Sequence, residues 1–222
     1  MSQQHEESCG FTLAHYRTTL RSALDKGYAF FPLKDHFQAK TQERTILMRH
    51  DIDFDLNPAI RIARIEGELG IKSSFFLRPD GAYNLFSHDN YQIVRELLEM
   101  NHEIGLHFCP SFASAFNEDW QNVFDRQRRY LEAVLGEKIA GFSLHEPTRM
   151  GQGGIQDQNL IDLGIDYHAY QKMFVGERKY ISDSSATWRE GCMCEHITRG
   201  VPNLTILTHP FWWFEKTPLE NY

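Results

Sequence analysis

The sequence predicts an α/β fold built from parallel strand–helix units. Three observations carry this. Short apolar runs of strand length alternate with segments of helical hydrophobic period. Glycines stand just past three of the helical segments, at Gly27, Gly70 and Gly136. The strand-like runs end in polar residues, and in parallel β/α folds the carboxyl ends of strands line the active-site face.

Thr12 to Lys26 places Leu13, Tyr16, Leu20 and Leu24 on one stripe, a helix that stops at Gly27. Thr45 to Asp51 (TILMRHD) is the first strand. Asn57 then supplies an N-cap and Pro58 a first helical residue for a helix reaching about Leu69. Lys72 to Leu77 (KSSFFL) is the second strand, and Asp89 to Met100 is a helix with Ile93, Val94, Leu97 and Leu98 apolar. Glu103 to His107 is the third strand. Asn117 is expected to cap a long helix through Leu135, buried at Trp120, Val123, Phe124, Tyr130, Leu131 and Val134. Lys138 to Leu144 is the fourth strand, Ile155 to Leu163 a short helix, and Ile165 to His168 the fifth strand. Lys179 to Ser182 and Leu204 to Thr208 complete seven strands. With right-handed crossovers, such a sheet winds into a barrel or stays open and doubly wound, and the pattern does not choose between them.

The 222 residues suit a single domain spanning 1–222. A net charge of −7 leaves no basic footprint for nucleic acid or an anionic membrane. No run approaches the ~18 apolar residues of a membrane span, and the polar Met1 to Gly10 has no signal-peptide core. The cysteines Cys9, Cys109, Cys192 and Cys194 are expected to be free thiols in a reducing, cytoplasmic compartment. Cys192-x-Cys194-x-His196 lacks a matching second pair, so an ordinary loop is expected there rather than a zinc site.

Eleven histidines stand out in the composition, and strand alternation sorts them. Asp51 shares a face with Leu47 and Arg49, away from His50. His107 shares one with Gly105, His145 with Ser143 and Gly141, and His209 with Leu207 and Thr205. Singly, each histidine reads as a hydrogen-bonded strand-end residue. Together with Asp51-x-Asp53, three inward histidines make a constellation suited to metal-assisted hydrolysis. A carboxylate and imidazoles hold a cation, a second carboxylate takes a proton from water, and a histidine protonates the leaving amine. His50 and His102 are expected to be structural, His88 is placed on the surface, and His168 is left open.

The same residues carry a resemblance. From about Thr45 to Trp213 the sequence resembles the NodB-type polysaccharide deacetylases, carbohydrate esterase family 4 and its relatives, which implies a distorted (β/α)7 barrel. MRHDID resembles the first family motif, implying Asp51 as base and Asp53 as metal ligand; KSSFFL resembles the strand that follows. NHEIGLH resembles the family's Gly-His-Glu-Ile-Gly-x-His and puts His107 in a metal-ligand place. SDSSATWRE resembles the fourth motif, with Asp183 and Trp188 shaping the pocket. LTHPFWW resembles the last motif, implying Leu207 in the acyl pocket and His209 as general acid. Trp213 reads equally as a sugar-stacking surface or as packing.

Two positions depart from the family pattern. Ser111 stands where a second histidine ligand is usual, and Ser143 where an arginine is usual. His145 is expected to replace the missing ligand, giving Asp53, His107 and His145, with Arg189 or Arg49 orienting the base. The implied cofactor is a divalent metal, Zn²⁺ first, with Co²⁺, Mn²⁺, Ni²⁺ or Fe²⁺ as alternatives. The implied activity is removal of an acetyl group from an N-acylated sugar or glycan precursor. The competing readings are hydrolysis of a non-sugar C–N amide on the same scaffold, and an inactive pseudoenzyme that binds a glycan or a partner.

Overall fold

A computed structural model describes residues 9–147 and 160–222. The Thr12 hydroxyl accepts from the His15 backbone N–H and starts α1, Leu13–Asp25. There follow β1 (Ala29–Phe31), α2 (His36–Ala39), β2 (Thr45–Ile52), α3 (Asn57–Glu68), β3 (Ser74–Leu77), α4 (His88–Glu99), β4 (Glu103–Phe108), α5 (Pro110–Ala115) and α6 (Trp120–Leu135). The described chain ends with β5 (Gly141–Leu144), α7 (Leu160–Leu163), β6 (Tyr167–His168), α8 (Lys172–Val175), β7 (Lys179–Ser182), α9 (Met193–Thr198) and β8 (Asn203–Thr208).

The seven expected strands are all present. β1 is additional: at three residues it is too short to display an alternation. Two caps differ from expectation. Asn57 lies inside α3, where its backbone N–H donates to the Asp55 carboxylate, and Leu56 occupies the cap position. Asp119, not Asn117, caps α6 by accepting from the Gln121 and Asn122 N–H groups. The unexpected α5 uses up the preceding stretch, and Asn117 takes a left-handed conformation just past its end (φ 50). Of the helix expected over Ile155 to Leu163, Leu160–Leu163 is present and 155–159 lie outside the described residues.

All strand pairings are parallel, in the order β6-β5-β4-β3-β2-β8-β7. β1 pairs with the first three residues of β2, while β3 pairs with its last four. Among the described residues β6 and β7 do not pair, so the sheet curls into a half-barrel, the distorted (β/α)7 arrangement. Alternation along the wholly buried β2 divides the interior. Ile46, Met48 and Ile52 join the main core under the helices, whereas Leu47 joins a smaller cluster on the barrel axis with Phe76, Tyr167 and Phe174.

That axial cluster explains two glycines. A Cβ on Gly105 would lie 2.5 Å from the Phe76 ring and 2.8 Å from the Gly141 carbonyl oxygen. One on Gly141 would lie 2.1 Å from the Tyr167 ring. Tyr167 in turn donates to the buried Glu103 carboxylate at 2.6 Å. The two glycines let the aromatic rings plug the barrel just beneath the strand ends that carry His107 and His145. Gly141→Ala should therefore displace Tyr167 and destabilise the fold by about 1–3 kcal/mol, measured as a lowered urea midpoint against the parent.

A candidate metal centre in an acid–base cleft

The carboxyl ends of β2, β4, β5 and β8 surround a cleft of about 790 Å³ that Asp51, Asp53, His107, His145, Leu207 and His209 all line. Asp51 is the last inward residue of β2 and is 2% exposed. The fully buried Arg49, one inward position earlier, grips it through Nε and Nη2 at 2.9 and 2.6 Å. Arg49, not Arg189, thus orients this carboxylate; Arg189 lines the cleft. Burial opposes ionisation of Asp51, but the charge and hydrogen bonds of Arg49 work against it, and its pKa is held below the usual carboxylate range.

Ser143, on β5 beside His107 of β4, links Asp51 to the metal candidates. Its hydroxyl donates to Asp51 Oδ1 at 3.2 Å and lies 2.6 Å from His107 Nδ1. A hydroxyl has one proton, so it must accept from His107 Nδ1–H. This fixes the tautomer of a neutral His107 and leaves a lone pair on Nε2, which faces Asp53 Oδ1 at 3.2 Å. His145 Nδ1 approaches the same oxygen at 3.1 Å. Despite both neighbours, Asp53 Oδ1 is buried and has no hydrogen-bond partner among the described residues.

Three ligand atoms that converge without pairing fit a cation. Tetrahedral coordination by oxygen and nitrogen at ~2.0–2.2 Å separates ligands by about 3.3–3.6 Å, a few tenths of an ångström more than the two nitrogens lie from Asp53 Oδ1 here. Asp53, His107 and His145 therefore suit a divalent metal, and one protein-free position remains for solvent or substrate. Ser111 stands apart from this set, at the start of α5, where its hydroxyl faces Glu146 at 3.5 Å.

His209 follows β8 and is held from behind by Asp183. The His209 backbone N–H donates to both Asp183 oxygens at 2.9 and 3.0 Å, and the ring Nδ1 donates to Oδ1 at 2.6 Å. Trp213 Nε1 donates to Oδ2 at 2.9 Å. Burial lowers the imidazole pKa, but Asp183, Asp51 and Asp53 more than reverse this and raise it to about 9.

The expected pocket lining needs three corrections. Asp183 and Trp213 are wholly buried and do not line the cleft; Asp183 serves His209, and Trp213 packs in the core. Trp188 stacks on Phe11 and lies edge-on to Trp213, also outside the cleft. Trp212, one residue earlier than the expected Trp213, faces the cleft instead. Sequence reasoning also missed Tyr170, two residues past β6. Its ring lies 4.8 Å from the Arg49 guanidinium and its hydroxyl accepts from Nη2 at 3.2 Å. Glu146, Ser185 and Ala186 line the cleft with φ of 52°, 60° and 52°, a left-handed backbone that non-glycine residues adopt at a cost of about 1–3 kcal/mol each. His50 and His102 are structural as expected: both are buried around Glu66, which His50 Nε2 meets at 3.0 Å.

Neither a protein-family model nor a curated protein sequence matches the chain. Solved structures do. One is a mutant, with restored enzymatic activity, of a CE4 family pseudoenzyme from Bacillus anthracis, at 15% identity and TM-score 0.50; the match covers 76% of this chain and 57% of that one. A second is a point mutant of peptidoglycan deacetylase PdaC from Bacillus subtilis, at 13% identity and TM-score 0.50, covering 76% of each chain. At these identities the likeness is one of fold, and the chain has the fold of the CE4 deacetylases.

Two outcomes follow from the geometry. Ser143→Ala should weaken divalent-metal binding about 10–100-fold while leaving the fold intact, read by competition with a chromophoric chelator. His209, with its pKa raised above the unfolded value, stabilises the metal-free fold fully below about pH 6.5, and loses that contribution as pH rises through about 9. The melting temperature of the metal-free parent should fall across that window, and His209→Gln should flatten the fall.

Proposed function

We propose that this chain is a metal-dependent hydrolase that removes an acyl group, acetyl first, from an N-acylated sugar or glycan precursor. The observation that carries the reading is the convergence of Asp53 Oδ1, His107 Nε2 and His145 Nδ1 on one point, in the same cleft as a buried Asp51 and a His209 biased toward its protonated form.

A bound divalent cation, Zn²⁺ first, would supply a Lewis acid that polarises the amide carbonyl. The remaining work falls to the chain. Asp51, kept ionised by Arg49, takes a proton from the attacking water. His209 presents Nε2–H to the leaving nitrogen while Asp183 holds Nδ1. Leu207 offers an apolar wall for the acetyl methyl, and Trp212 and Tyr170 offer ring faces for a sugar. The four cysteines form no disulfide, which suits a reducing compartment such as the cytoplasm, where nucleotide sugars or lipid-linked precursors would be the substrates. No helix among the described residues is long and apolar enough to cross a membrane.

The test is acetate release from a panel of N-acetylated sugars by the metal-loaded chain. The parent should release acetate and Asp51→Asn should lose about 10²–10⁴-fold in kcat with metal content unchanged. Asp53→Ala should lose the cleft metal. Release only from non-sugar amides would move the substrate to that class, and a metal-loaded parent inert on both panels would make the chain a binder.

A further inference from the structure

A second group of metal-ligating side chains lies away from the cleft and belongs to none of the roles above. Cys9 precedes α1, His15 sits in its first turn, Cys192 immediately precedes α9 and Cys194 lies in the first turn of α9. Cys9 Sγ is 3.4 Å from Cys194 Sγ, and His15 Nε2 is 3.3 Å from Cys192 Sγ. All four ligand atoms lie within 4.8 Å of one another. None of the four residues lines the cleft.

We infer that Cys9, His15, Cys192 and Cys194 form a structural Zn²⁺ site that ties the N-terminal segment and α1 to α9. Zinc with sulfur at ~2.3 Å and nitrogen at ~2.0–2.1 Å in a tetrahedron separates its ligand atoms by about 3.5–3.8 Å. The Cys9–Cys194 and His15–Cys192 separations are a few tenths of an ångström shorter and every other pair lies within 4.8 Å, so the ion enters by small side-chain adjustments of the cluster. Three thiolates and one imidazole complete the tetrahedron and leave no position for substrate, which is the pattern of structural rather than catalytic zinc. Core packing explains the buried Cys192 but not the exposed Cys9, which an apolar role would not direct at another sulfur.

The site also explains how the ends of the chain are joined. Cys9 and Cys194 are 185 residues apart, and His15 and Cys192 are 177 apart. Between the two N-terminal ligands, Phe11 stacks on Trp188 and meets Trp213 edge-on, with ring centroids 6.0 and 5.4 Å apart. His196, which the local Cys-x-Cys-x-His spacing would nominate, is not a ligand: its Nε2 lies 2.7 Å from the Glu190 carbonyl oxygen.

The test measures metal in the full, untagged chain purified under reductant. In Asp53→Ala, where the cleft metal is lost, one equivalent of zinc should remain, and adding Cys194→Ser should remove it. Adding His15→Ala should lower zinc occupancy, whereas His196→Ala should leave it unchanged. Replacing zinc by cobalt should give thiolate-to-cobalt charge-transfer absorption in the near ultraviolet, reduced in the single variant Cys9→Ser, whose exposed position tolerates the change. An Asp53→Ala chain without zinc, cobalt-loaded parent without that absorption, or an intact mass showing a Cys9–Cys194 or Cys192–Cys194 disulfide would each overturn the assignment. Every readout is independent of hydrolytic activity, so failure of the cleft reading and failure of this one are told apart.

Discussion

The cleft depends on one buried ion pair. Arg49 and Asp51 occupy consecutive inward positions of the central strand; Arg49 is wholly buried, and Asp51 meets the cleft with 2% of its surface. Each is tolerable there only because of the other, and removing one partner from such a pair costs about 3–5 kcal/mol. The Phe76 and Tyr170 rings, 5.5 and 4.8 Å from the guanidinium, complete its surroundings. From the carboxylate the order passes outward: Asp51 accepts a hydrogen bond from the Ser143 hydroxyl, that hydroxyl accepts one from His107 Nδ1–H, and His107 Nε2 is left bare toward Asp53. A single fixed charge on β2 thus sets the proton positions of two residues on two neighbouring strands, Ser143 of β5 and His107 of β4.

The opposite face of β2 carries a second polar cluster that secures the outer layer. Glu66 of α3 accepts from Tyr16 of α1 at 2.6 Å and from Ser73, just before β3, at 2.6 Å, and it meets His50 of β2 at 3.0 Å. Burial raises the Glu66 pKa, and His50, His102 and Ser73 lower it by more, so the group is held as a carboxylate. Two helices, β2 and the residue leading into β3 therefore share one anion. The inward cluster lines the cleft, and the outward one fixes how the helices sit on the sheet that carries it.

The sequence made the strands legible because buried parallel strands are continuous apolar runs that end in polar residues. Asp51, Asp53, His107, His145 and His209 were legible for the same reason: alternation along a strand states which side chains share a face. What lay between elements was harder. Asp183 belongs to His209 because β7 and β8 pair Ser182 with Leu207, a register no local pattern displays. Trp212 and Trp213 follow the strand end in a 3-10 turn, where alternation no longer says which ring faces the cleft. Arg49 against Arg189 was open for want of a distance. The cysteine pair at 192 and 194 looked solitary because its partners lie at the other end of the chain.

Asp183 has one further consequence, and it concerns entropy. A histidine at a strand end ordinarily samples several χ1 and χ2 settings, and any reaction that uses it must first select one. Here the same carboxylate holds the His209 backbone and its ring, and Trp213 holds the carboxylate. The rotational freedom of the ring was surrendered when the chain folded. Whatever enters the cleft meets an imidazole whose direction is already chosen.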